Sequence, residues 1–242
     1  MKVLIACEFS GVVRDAFLRY GYDAMSCDLI PTESPGPHYQ GDVRDLLEPG
    51  KWDLMIAHPP CTYLARSGLH WLNKKPGRKE LANDALDFVK VLLDAPIKYI
   101  ALENPVGLIG PCIRPAEQIY QPNWFGQPDS KKTCLWLKNL PPLRPTEILE
   151  KPADGKWKNQ TPNRQSNTSQ HTWRGKTRSI TPYGVGRAMA QQWGELVDKD
   201  THGVRHFHDP VRLPGGTMLW CSTCGAVRET KKGAKWTTVV KD

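Results

Sequence analysis

The sequence predicts an α/β fold, a doubly wound and mostly parallel sheet, with a small basic C-terminal appendage. Three observations predict it. Strand-length runs dominated by apolar side chains recur at Val3–Cys7, Asp53–Ala57 and Lys98–Leu102. Runs without polar alternation belong to strands buried on both faces. Segments of helical spacing separate them, and Gly or Pro punctuates the ends. Strand–helix alternation of this kind gives a parallel sheet covered by helices on both sides.

The elements follow in order. After Val3–Cys7, the turn Phe9-Ser10-Gly11 leads into a helix with Val13, Ala16, Phe17 and Tyr20 at helical spacing, ended by Gly21. Asp23 to Asp28 reads as a second strand with an acid at its end. A loop with Pro31, Pro35, Gly36 and Pro37 follows, then Gly41-Asp42-Val43 and a short helical stretch. The strand Asp53–Ala57 is stopped by His58-Pro59-Pro60. Arg78 to Asp94 is the clearest helix, with an apolar face of Leu81, Ala85, Leu86, Phe88, Val89, Leu92 and Leu93. Pro96 closes it, and Lys98–Leu102 is the next strand. Lys132–Leu137 is a later strand. Residues 139–177 lose periodicity, which in a compact domain marks a functional loop or a mobile one. Helical pattern resumes over Gly186–Val197, and residues 201–242 form a separate small module.

Composition narrows the class. With 39% hydrophobic and 24% charged residues, the 242-residue chain has the usage of a folded globular protein. No apolar run approaches the ~20 residues of a membrane-spanning helix. The opening MKVLIACEFSG is too short for a signal peptide and reads as a core strand, so cytoplasmic residence is expected, in a bacterium or a phage-infected host. Seven scattered cysteines argue against a disulfide scaffold. The net charge of +8 is unevenly spread. Residues 1–140 carry sixteen Lys and Arg against sixteen Asp and Glu, so the whole excess lies beyond them. A neutral half followed by a basic half predicts one part that does chemistry and another that meets a polyanion.

Ligands of doubly wound sheets sit beyond the carboxyl ends of the strands. Phe9-Ser10-Gly11 is half of a glycine turn that lets a helix N-terminus approach such a ligand. Asp28 follows Gly11 by 17 residues, close to the spacing of an acid that holds a ribose hydroxyl. Asp42 lies at another strand-end loop. Pro60-Cys61 presents a thiol on a proline-stiffened loop just past a strand, as a nucleophile requires. Glu103-Asn104-Pro105 places a carboxylate at the end of the next strand.

Taken together, these segments resemble the DNA cytosine-5 methyltransferases. That family carries F-x-G-x-G after strand one, a Pro-Cys nucleophile loop and Glu-Asn-Val, in the order found here. Phe125–Lys132 looks like its Gly-x-Pro-Gln-x-Arg segment. Arg178-Ser179-Ile180-Thr181 and Tyr183–Ala190 look like its closing motifs. The resemblance covers roughly residues 2–140 and 176–197. Departures are Val13 for the second glycine, Thr62 for the usual Gln, Pro105 for Val, Asp129 for Gln and Lys131 for Arg.

The resemblance implies a sheet of the S-adenosylmethionine-dependent methyltransferase type. It implies Cys61 as nucleophile at cytosine carbon 6, Glu103 on the N3/N4 edge and Lys131 near the carbonyl side. Phe9, Ser10, Gly11, Asp28, Asp42 and Pro60 would line the S-adenosylmethionine site. Residues 1–138 then form the catalytic core, 139–177 a short basic recognition loop, 178–200 the closing segment and helix, and 201–242 the terminal module. A recognition region this short fits the small enzymes of phages. DNA is the expected partner, held by the basic C-terminal half, and the expected state is a monomer. Residues 141–181 hold eight Lys and Arg against three Asp and Glu, suited to phosphate contacts.

In the tail, Cys221-Ser222-Thr223-Cys224-Gly225 resembles a zinc knuckle, with His206 and His208 as the preferred remaining ligands. A metal-free hairpin with two reduced thiols is the alternative. Two other functional readings stay open. An amino-group methyltransferase of adenine N6 or cytosine N4 uses an Asp/Asn-Pro-Pro-aromatic loop, which His58-Pro59-Pro60-Cys61 echoes. A catalytically silent nucleic-acid binder on the same fold is the other. RNA or a free nucleotide also remain as substrates.

Overall fold

The computed structural model describes residues 1–157, 179–202, 210–212, 218–221 and 227–229. The chain divides into two compact units, Met1–Val197 and Asp198–Asp242.

The first unit is a seven-stranded sheet. Its strands are β1 (Lys2–Ala6), β2 (Asp23–Asp28), β3 (His38–Gln40), β4 (Leu54–Ala57), β5 (Tyr99–Pro105), β6 (Gln118–Tyr120) and β7 (Thr133–Lys138). Their spatial order is β3-β2-β1-β4-β5-β7-β6. The first five are parallel to one another, and β7 runs antiparallel to both β5 and β6. Helices α1 (Val12–Arg19), α2 (Arg78–Leu93), the short α3 (Ile109–Cys112) and α4 (Tyr183–His202) accompany it. This is the mixed α/β, mostly parallel architecture that the sequence predicts. The order reverses between β1 and β4, the switch point where such sheets open a crevice.

The apolar runs explain the centre of the sheet. Val3 to Ala6 of β1, all of β4 and Ile100 to Leu102 of β5 are fully buried. Strands buried on both faces need cover on each. On one face, Leu4, Ala6, Met55, Ala57, Ile100 and Leu102 form a single cluster with Leu86, Val89, Leu92 and Leu93 of α2. Each such side chain contributes roughly 1.5–3 kcal/mol by leaving water. Leu81, read as part of this helix face, is instead 43% exposed, and Ala82 is buried in its place. The buried stripe runs Ala82, Leu86, Val89, Leu93, and Leu81 lies one residue, or about 100°, off it. On α1, Val13, Ala16 and Phe17 are buried as predicted.

The second unit contains a three-stranded antiparallel sheet in the order β10-β9-β8, formed by β8 (Pro210–Arg212), β9 (Met218–Cys221) and β10 (Val227–Glu229). Among the described residues, no helix is long and apolar enough to cross a membrane.

Candidate active site

Sheet topology brings the sequence-predicted residues of the first unit to one edge. Phe9, Ser10 and Gly11 follow the carboxyl end of β1, Asp28 ends β2, and Asp42 lies just past β3. Pro60 and Cys61 follow β4, Glu103 lies near the end of β5, and Lys131 precedes the antiparallel β7.

The turn after β1 is built by a residue the sequence reading did not single out. Glu8 is buried, and its Oε1 accepts from the Val13 amide at 2.7 Å and from Ser10 Oγ at 3.2 Å. Its Oε2 accepts from the Arg14 amide at 3.2 Å. A carboxylate here satisfies amides at the start of α1 and complements the helix dipole. Gly11, the residue before the helix, has φ 75° and offers no side-chain cap. A Cβ there would lie 2.5 Å from Arg14 Nη2, so space as well as φ requires glycine. The signal was present in Cys7-Glu8-Phe9-Ser10: an acid placed just before a helix start.

Arg14 is fully buried and ties the loop after β2 to α1. It donates to Ser26 Oγ at 3.1 Å, Thr32 Oγ1 at 3.3 Å and the Ser34 carbonyl at 2.9 Å, and pairs with Asp15 at 2.8 Å. The Glu33 amide donates to the Phe9 carbonyl at 2.8 Å, joining this loop to the first turn. The two strand-end acids differ. Asp28 accepts from the Ile30 amide at 3.2 Å, and burial pushes its carboxyl up. Asp42 caps the turn Val43–Leu46, and the Arg44 side chain grips both of its oxygens, holding its carboxyl below the usual range. Next to Asp28, Leu29 and Ile30 are 72% and 48% exposed, an apolar edge beside a partly buried acid. Burial also pushes the Cys27 thiol up to about 12, and raises Cys7, so neither is ionised near neutrality.

At the loop after β4, the His58 amide donates to the Ala6 carbonyl at 2.9 Å, extending the β1–β4 pairing by one residue. Pro59 and Pro60 then stiffen the chain up to Cys61. The Cys61 carbonyl accepts from the amides of Leu64 at 3.1 Å and Ala65 at 2.9 Å, so Cys61 opens a turn and is itself half-buried. Since Ala57 is in register with Leu102, the residues after β4 lie beside Glu103 and Asn104. Asn104 is buried, and its Nδ2 donates to the Pro59 carbonyl at 2.8 Å. The next residues are also joined. The Arg66 amide donates to the Val106 carbonyl and the Leu108 amide to the Leu64 carbonyl, both at 2.9 Å. Gly107 makes this approach possible, because a Cβ there would lie 1.9 Å from the Leu64 carbonyl oxygen.

Glu103 is 6% exposed. His58 Nδ1 lies 3.0 Å from its Oε2, and Lys131 Nζ lies 3.9 Å from its Oε1. Burial alone raises a carboxyl, but Lys131 and His58 outweigh it and hold Glu103 below the usual glutamate range. Thr181 Oγ1, from the segment before α4, is 3.4 Å from His58 Nδ1. The cytosine-5 resemblance gave His58 no role, and it entered only as the first residue of the amino-group methyltransferase echo. Its register opposite Glu103 across adjacent strands was the available signal.

The segment after Cys61 is basic. Residues 62–79 hold Arg66, Lys74, Lys75, Arg78 and Lys79 and no Asp or Glu. Lys75 lies over the exposed Trp71 ring at 4.6 Å, and Arg78 over Tyr63 at 4.8 Å. Arg78 also donates to the Thr62 carbonyl at 2.9 Å. Averaging charge over the first half concealed this local run.

Of the predicted metal ligands, Cys221 lies in β9, whereas Cys224, His206 and His208 lie outside the described residues. Among the described residues, no group of three His, Cys, Asp or Glu side chains is placed to hold a metal.

In comparisons with known proteins, no family model and no curated protein matches the chain. Among solved structures, the chain is similar to a triple mutant of Spodoptera frugiperda DNMT2, at 19% identity and a TM-score of 0.30. The match covers 64% of this chain and 56% of that one, so the chain spans little more than half of that protein's length.

Proposed function

We propose that this chain is an S-adenosylmethionine-dependent DNA cytosine-5 methyltransferase. One observation carries the reading. A cysteine on a proline-stiffened loop and a buried carboxyl leave adjacent parallel strands at the same sheet edge, joined by the Asn104–Pro59 hydrogen bond. The Pro-Cys and Glu-Asn segments that resemble the cytosine-5 family are the two segments so joined.

The chemistry uses each group once. Carbon 5 of cytosine is a weak nucleophile. Cys61 Sγ, as thiolate, bonds to carbon 6, and the carbon 5–carbon 6 π pair moves onto carbon 5. Glu103 hydrogen-bonds the N3/N4 edge, accepting from the N4 amino group, and the Lys131 ammonium beside it supplies the positive charge that offsets the electron density added to the ring. S-adenosylmethionine, when bound, would supply an electrophilic methyl at its sulfonium, the broken carbon–sulfur bond leaving the donor as a neutral thioether. The Phe9–Gly11 turn, Asp28 and the apolar Leu29–Ile30 edge fit such a ligand, offering a carboxyl for ribose hydroxyls and a surface for a purine. Once carbon 5 carries the methyl group, loss of its proton and expulsion of Cys61 restore the ring. Within a duplex the base must first leave the stack, at a cost of a few kcal/mol. Cationic residues in 62–79 and 141–181 offset part of this through phosphate contacts.

The test is covalent trapping on DNA containing 5-fluorocytosine, where fluorine blocks the final proton loss. The wild-type chain with cofactor forms a stable adduct, and Cys61→Ala forms none. Mass spectrometry of nucleosides from normal DNA then identifies 5-methylcytosine. N4-methylcytosine or N6-methyladenine, with normal turnover by Cys61→Ala, would replace this reading with amino-group transfer. Binding without any modified nucleoside would leave a silent binder.

A further inference from the structure

His58 contributes nothing to the chemistry above, yet it is among the most constrained side chains at this edge. Its backbone is fixed by the bond to Ala6. Its ring is 8% exposed, with Nδ1 directed at Glu103 Oε2 (3.0 Å) and flanked by Thr181 Oγ1 (3.4 Å). The two oxygens of Glu103 are therefore unlike. Oε2 is held by His58. Oε1 is buried and has no hydrogen-bond partner among the described residues, with the Lys131 ammonium 3.9 Å away.

We infer that His58 is a positioning residue for Glu103: by holding Oε2 it fixes the carboxyl plane and leaves Oε1 as the oxygen that meets the pyrimidine edge. Where it concerns the base, this rests on the cytosine-5 reading; the coupling of His58 to Glu103 does not. The last torsion of a glutamate side chain is broad and nearly two-fold. With one oxygen held, the carboxyl is set before substrate arrives, which is what makes such groups effective. An ionised Glu103 requires the ring proton on Nδ1 and so sets the tautomer.

Among the described residues, few titratable groups on other elements face Glu103. Lys131 precedes β7, and Cys134 lies on β7 and Tyr120 on β6. Tyr120 and Cys134 are pushed further into their neutral forms by burial. Cys61 shares the loop of His58. His58 and Lys131 are thus the groups that act on Glu103 as hydrogen-bond donor and cation.

The experiment compares wild type, His58→Leu and His58→Asn as full-length chains. Leu fills similar volume without a donor, and Asn returns an N–H close to the position of Nδ1. The Glu103 carboxyl is followed by carbon-13 NMR, its signal assigned with Glu103→Gln, and the rate of 5-fluorocytosine trapping is measured across pH. In His58→Leu the Glu103 titration moves to higher pH. Trapping slows by on the order of 100-fold, the cost of misplacing a reacting group by about an ångström, with cofactor affinity unchanged. His58→Asn recovers most of the trapping rate. The inference is overturned if His58→Leu titrates and traps like wild type. It is also overturned if Leu and Asn lose trapping equally while Glu103 titrates unchanged. A wild-type chain that never traps rejects the cytosine-5 reading and the base-facing role with it, while the NMR titration still decides whether His58 governs Glu103.

Discussion

Asn104 Nδ2 donates to the carbonyl oxygen of Pro59 across 2.8 Å, tying the end of β5 to the loop that carries Cys61. Proline has no amide hydrogen, so this loop cannot extend its pairing with the sheet through Pro59 or Pro60. A side-chain amide from the neighbouring strand supplies the missing tether. Asn104→Leu leaves the Pro59 carbonyl without this donor. The expected loss is about 1–3 kcal/mol of stability. The trapping rate should fall more than tenfold while cofactor affinity is retained, because the Phe9–Gly11 turn lies two strands away. Urea denaturation and isothermal titration check both, and a stable variant with unchanged trapping rejects the tether.

The Glu103 carboxyl carries a pH dependence whose sign is fixed. Burial disfavours its charge, but Lys131 and His58 prevail and lower its pKa in the folded chain. A group lowered on folding contributes stability above its unfolded value, about 4.3 for glutamate. That contribution is lost as the pH falls through the folded value. Lys131→Met removes the cation and leaves burial less opposed. The variant should lose stability relative to wild type at neutral pH, and the gap should close below about pH 4. Denaturation curves from pH 3 to 7 measure this, and a gap independent of pH would contradict it.

Much of this edge was legible before any coordinates, for identifiable reasons. Strands buried on both faces announce themselves as apolar runs, and the residues that end them place Asp28 and Cys61 at strand termini, whereas Glu103, expected just past the strand Lys98–Leu102, lies inside β5 because pairing with β7 carries that strand on to Pro105. What stayed hidden were contacts between segments distant in sequence. His58 and Glu103 are 45 residues apart, and only strand register brings them to hydrogen-bond distance. Leu81 was misplaced for a local reason: two adjacent leucine-rich stripes fit the helical period, and tertiary packing chose the one through Ala82. Asp42 looked like Asp28 in sequence, but Arg44, two residues on, engages it.

Glu8 lies two residues past the end of β1 and accepts from the amides of Val13 and Arg14. It therefore sets both the start of α1 and the path of Phe9-Ser10-Gly11. Glu8→Ala removes the acceptor from buried amides. Loss of a helix cap costs about 0.5–2 kcal/mol. The larger effect should be on S-adenosylmethionine, whose dissociation constant rises at least tenfold as the turn loosens. Glu8→Gln keeps one acceptor oxygen and should fall between. Equal cofactor affinity in all three chains would show that the turn holds its shape without this carboxylate.

The cationic run after Cys61 makes a prediction separate from the C-terminal basic half. Residues 62–79 contain five Lys and Arg and no acid, beside an exposed Trp71. If these cations meet nucleic-acid phosphates, each contact releases counterions, and the slope of log affinity against log salt changes by about 0.9 per phosphate on duplex DNA. Replacing Lys74, Lys75 and Lys79 together with Gln should reduce the magnitude of that slope by up to about 2.7 if each meets one phosphate. Affinity at low salt should fall similarly for unrelated sequences, because phosphate contacts carry no base information. The same number of substitutions at Lys151, Lys156 and Lys158 reports on the C-terminal half in parallel. Fluorescence anisotropy between about 50 and 200 mM salt measures both slopes. A slope unchanged by the first set and reduced by the second would assign the polyanion to the C-terminal half alone, and the segment following Cys61 would then serve only to frame the loop.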